Sequence, residues 1–71
     1  MQRRYMVLYV DMTAARPEPC EQLIQVDVDG LSELQVEDRL LCKAKAVIAD
    51  QLGIDKGKVA VHAFSLLREA T

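Results

Sequence analysis

From Ser32 to Gly53 the sequence marks both ends of a single helix, and this segment limits what the rest of the chain can become. Ser32-Glu33-Leu34-Gln35 has the spacing of a capping box, with Ser32 at the N-cap and Gln35 three residues on. Glu33, Glu37 and Asp38 load the first turns with negative charge, which the helix dipole favours. Val36, Leu40, Leu41, Ala44, Val47, Ile48 and Leu52 then recur at steps of three and four and form one stripe. Gly53 stands where a left-handed residue closes a helix, and Ile54 where its hydrophobic contact belongs. The pattern predicts a helix over residues 33–52. A helix with one apolar stripe needs something flat to cover.

The flanking segments supply it. Tyr5-Met6-Val7-Leu8-Tyr9-Val10 is apolar on both parities, which suits a strand in the middle of a sheet. Residues 11–21 hold both prolines, Pro17 and Pro19, and read as an exposed loop. Leu23-Ile24-Gln25-Val26-Asp27-Val28 alternates, with Ile24, Val26 and Val28 on one face, as an edge strand does. After the helix, Asp55-Lys56-Gly57 turns the chain into a third strand from Lys58 to about Leu66, and residues 67–71 read as a frayed end. The expected fold is therefore two-layer α+β: strand, strand, helix, strand, with one helix on a three-stranded antiparallel or mixed sheet. A crossover from the second strand to the third places the latter beyond the first, so the sheet order is 2-1-3. With 71 residues there is room for one domain, 1–71, and its core is small enough that a partner or staple would help it.

One helix covers one sheet face, so the parity of each strand decides what stays open. Taking Asp11 as the end of an outward row points Met6, Leu8 and Val10 inward, beside Ile24, Val26 and Val28, and beside Val59, Val61 and Ala63. The open face then carries Tyr5, Val7 and Tyr9, flanked by His62 and Phe64. These are the expected partner-binding or dimer residues, because a monomer rarely leaves such a patch wet. The opposite parity would put the rings in the core instead, and a β-bulge in the third strand would scramble the count. On the helix's outer side Cys42, Ala46 and Ala49 are small and uncharged, and form a second candidate surface.

Catalytic and metal chemistry find little in this sequence. There are two serines and one histidine, no glycine-rich phosphate loop, and no recognisable nucleophile–base pairing. Cys20 and Cys42 lie 22 positions apart and form no metal knuckle or redox pair. No cofactor, metal or catalytic residue is expected, and no enzyme. No apolar run is long enough to cross a membrane, and none has the form of a signal peptide, so the expected setting is cytoplasmic. Net charge is −2, but residues 11–38 hold eight acids and one base. Such a region steers basic partners and repels phosphates. The expected function is a small protein-binding regulator or inhibitor acting through the open face and the acidic region, of a size that phages and other mobile elements encode, and self-associating as a homodimer through that face or the apolar third-strand edge. The alternative is a nucleic-acid-binding accessory protein that stacks bases on the same aromatics.

Overall fold

Two hydrogen bonds lock the helix start as the sequence predicts. In this computed structural model, which describes residues 1–70 (the last three by backbone alone), Ser32 Oγ accepts from the Gln35 backbone N–H at 3.3 Å. Gln35 Oε1 accepts in return from the Ser32 N–H at 2.9 Å. Helix α1 spans Glu33–Leu52 and ends at Gly53, whose φ of 69° lies in the left-handed region that a side chain disfavours. The N–H groups of Gly53 and Ile54 both return to the Ala49 carbonyl. Val36, Leu40, Ala44 and Ile48 are buried along the expected stripe, while Leu52 at its end is largely exposed.

The strands are β1 (Gln2–Asp11), β2 (Pro19–Asp27) and β3 (Val59–Ala70), all antiparallel to their neighbours, in the order β2-β1-β3. The fold is α+β with one helix on a three-stranded sheet. Pro19 opens β2, where the first residue of an edge strand can lack an N–H. The connection from β1 is shorter than the sequence suggests. Asp11 Oδ1 accepts from Thr13 N–H at 2.8 Å and from Thr13 Oγ1 at 2.6 Å, and these bonds hold its carboxyl below the ordinary carboxylate range. A short 3₁₀ turn, Lys56–Lys58, capped by Asp55, leads into β3. That strand extends past the expected stop near Leu66 to Ala70. Of the end expected to fray, residues 67–70 belong to β3, and Thr71 lies outside the described residues.

β3 is not a regular ladder. Tyr9 pairs with Val61 but Leu8 pairs with Ala63, so His62 is an extra residue, a β-bulge. A second irregularity falls at Leu67, because Tyr5 pairs with Leu66 and Arg4 with Arg68. The parity of β3 therefore changes at His62. Val59 and Val61 face the helix, and beyond the bulge Phe64 takes the position opposite Val7.

The core gathers Tyr5, Val7 and Tyr9 from β1, Ile24 and Val26 from β2, the helix stripe and Val59, with Val61 and Phe64 packed against it. The expected inward set on β2 is correct, and so are Val59 and Val61. The expected parity of β1 is reversed, and Ala63 is exposed. The reason is volume. The buried helix face includes Ala44 and Ala49, at 0% and 4% exposure, so large side chains must fill the space from the sheet side. Tyr5 and Phe64 meet edge to face, ring centroids 6.0 Å apart. Asp11 ends the inward row without cost because it sits at the rim, half-buried and bonded to Thr13.

Candidate interaction surface

Turning β1 over exchanges the contents of the two faces. Tyr5, Val7 and Tyr9 were the expected binding residues, but they are 6%, 0% and 8% exposed and lie beneath the helix. Phe64, expected beside them, packs against the same core because the His62 bulge shifts its parity. His62 alone of that group is exposed. On the helix, Cys42 and Ala46 are exposed as expected, but Ala49 is buried and belongs to the core. The buried stripe is wider than its leucine and valine positions indicate. The structure thus disperses the predicted aromatic site.

The uncovered face carries a different set. Along β1 it presents Arg4, Met6, Leu8 and Val10, the residues alternating with the buried row. Val10 is well covered, yet it stands outside the core cluster under the helix. Beside this row, β2 contributes Glu21, Leu23, Gln25 and Asp27, opposite Leu8, Met6, Arg4 and Gln2 respectively, and all four are exposed. Leu23 keeps almost half its surface in water. From β3 come Ala60, Ala63 and Ser65, opposite Val10, Leu8 and Met6. The face has an aliphatic centre, an acidic flank on β2 and a small, neutral flank on β3. The clue that sequence reasoning passed over was the pair of alanines in the helix stripe, which call for rings from the sheet and leave the aliphatic parity of β1 outside.

The electrostatics keep the β2 flank charged. Asp27 is held below the usual carboxylate range, first by the Asp29 backbone N–H donating to it at 3.1 Å, then by the terminal ammonium and Arg39. The terminal ammonium of Met1 lies 2.6 Å from Asp29 Oδ1 and 3.6 Å from Asp27 Oδ1. Arg3, on the helix side, reaches Glu33 at 3.4 Å and ties the sheet to the first helical turn. On that side burial acts on the phenol of Tyr9. Desolvation above all, with Cys20 and Asp11 nearby, pushes its phenol up. Because the neutral form is the one the fold accommodates, stability from Tyr9 is complete below the unfolded value of about 10 and falls as pH rises through the folded one. Absorbance titration should show a phenolate step above that value which Tyr9→Phe removes.

A shallow, open cleft of about 330 Å³ lies beside the helix, lined by Leu31, Gln35, Asp38, Arg39 and Cys42. Cys42 there has no histidine beside it in the lining; His62 is on β3. Among the described residues no three His, Cys, Asp or Glu side chains gather as metal ligands, and no helix is long and apolar enough to cross a membrane. Cys20 and Cys42 are both free and exposed. The nucleic-acid reading drew on exposed rings, and Tyr5 and Tyr9 are not exposed. No family model, curated protein or solved structure matches this chain.

Proposed function

We propose that this protein acts as a non-enzymatic binding module, a small regulator or inhibitor that docks another protein on the uncovered face of its sheet. The observation that carries the reading is the row of Met6 and Leu8, half-buried, with exposed Leu23 beside it, apolar and outside the core cluster under the helix. Apolar sheet faces of this kind are covered in stable folds by a second layer, and here the chain supplies a layer for only one side. The flank chemistry describes the partner: a protein surface with aliphatic residues at its centre and lysine or arginine on the side that meets Glu21 and Asp27. Opposite charge at the rim sets orientation and speeds encounter, while the apolar centre supplies affinity. Free, exposed cysteines suit a reducing compartment such as the cytoplasm.

The test is capture from a lysate of the source cells with wild-type protein and with Leu23→Lys, which places a base in the acidic flank of an exposed edge strand. A specific protein retained by wild type, lost with Leu23→Lys, and shifting the amide resonances of Met6, Leu8 and Leu23 supports the reading. Recovery of nucleic acid, or equal retention by the variant, overturns it.

A further inference from the structure

The sheet has two edges, and they are finished differently. On β2, side chains occupy two of the edge carbonyls: Lys43 Nζ donates to the Gln25 carbonyl and Gln22 Nε2 to that of Leu23 at 3.3 Å. Pro19 removes a donor, and Glu21 and Asp27 add like charge that repels a second copy of the same strand. β3 has none of these protections. From Val59 to Leu67 it contains no proline and no Asp, Glu, Lys or Arg, and among the described residues no side chain takes one of its carbonyls. Leu66 and Leu67 are about half exposed.

We infer that β3 is a homodimerisation edge, pairing antiparallel with β3 of a second copy about a two-fold axis at Ser65. The bulges at His62 and Leu67 bracket residues 63–66, the regular stretch between the two irregularities. A two-fold axis normal to the sheet keeps each face continuous only if paired residues share a parity. Centring on Ser65 satisfies this, since Ser65 then meets its own copy, and Phe64 meets Leu66 of the second copy twice. Phe64 and Leu66 both lie on the helix side, opposite Val7 and Tyr5, so these pairs cover leucine surface that one chain leaves in water. A second copy is the occupant argued for because like strands meet without like charge on β3 and with it on β2. The bulges twist the strand away on either side, which limits the ladder and gives a closed dimer rather than an open-ended array. The product is a six-stranded sheet in the order 2-1-3-3-1-2, with both helices on one side and the two aliphatic faces joined on the other.

The inference stands apart from the proposed partner, because it uses the edge and not the face. Sedimentation equilibrium should give a mass twice the 8.0 kDa of the chain for wild type and for Leu23→Lys. Ser65→Lys sets two ammonium groups directly opposite each other and should sediment as a single chain with its helical circular dichroism intact. In wild type, exchange protection of the Phe64 and Leu66 amides, which point away from β1, should rise with protein concentration. A single-chain mass at submillimolar wild-type protein overturns the inference. So does concentration-independent exchange at Phe64 and Leu66 in a protein that still dimerises. The exchange measurement needs no variant, so a misfolded Ser65→Lys would not spare the proposal.

Discussion

Leu40→Ala is expected to remove most of the stability this domain has. Leu40 is fully buried at the middle of α1 and is among the largest side chains wholly enclosed, with Ile48, Val7 and Val26. Truncating a buried leucine costs about 3 to 5 kcal/mol, the transfer of the lost methyl groups plus the cavity they leave. A domain of this length has roughly 4 to 10 kcal/mol in total, taking about 0.05 to 0.15 per residue. The core is one layer deep, so no second shell of apolar side chains stands ready to collapse into the gap. Urea unfolding should show a midpoint at half the wild-type value or lower, or no cooperative transition. A midpoint within a tenth of wild type would mean the helix is not seated on the sheet as described.

Tyr9→Asp is expected to unfold the chain, and this result bears most directly on which face is which. Were Tyr9 on the open face, a charge there would cost little and would only prevent association. Beneath the helix, at 8% exposure, a carboxylate loses its hydration without a cation to replace it. Such burial costs several kcal/mol or forces protonation. The helical circular dichroism and the dispersed amide spectrum should both be lost at neutral pH, while Tyr9→Phe keeps them. A folded Tyr9→Asp with its helix signal intact would return the ring to the outside and with it the original parity of β1.

That parity marks where the sequence stopped being legible. The helix could be read to within its caps because three independent signals agree on it: Ser32 with Gln35, the stripe, and Gly53. The orientation of β2 could be read because Gln25 and Asp27 alternate with Ile24 and Val26. Strand order followed from connection rules and from the doubly apolar character of β1. The same character concealed which face of β1 is buried, since all six residues from Tyr5 to Val10 are apolar and neither row carries a polar marker. Asp11 is a poor tie-breaker because it is only half-buried at the end of the strand, where a local turn satisfies it. The side-chain volumes of the helix stripe held the better evidence, because alanines opposite a sheet require bulk from it. The bulge at His62 left no trace in composition, with no glycine or proline beside it, so Phe64 was assigned to the wrong side. The candidate surface inherited both errors, and only His62, Cys42 and Ala46 remain outside.

The extra residue at position 62 also affects how chains of this kind can be compared with one another. A strand that spends one residue out of step carries two apolar patterns joined at an offset, Val59 and Val61 before it, Phe64 and Leu66 after it. A protein with the same core but a straight third strand would have one residue fewer there and no other difference in its buried positions. Aligned without a gap at 62, the two would agree over either half of the strand and disagree over the other, and a shared ancestry would look like half a match. In so short a chain, that half strand is a large part of the signal any comparison has to work with.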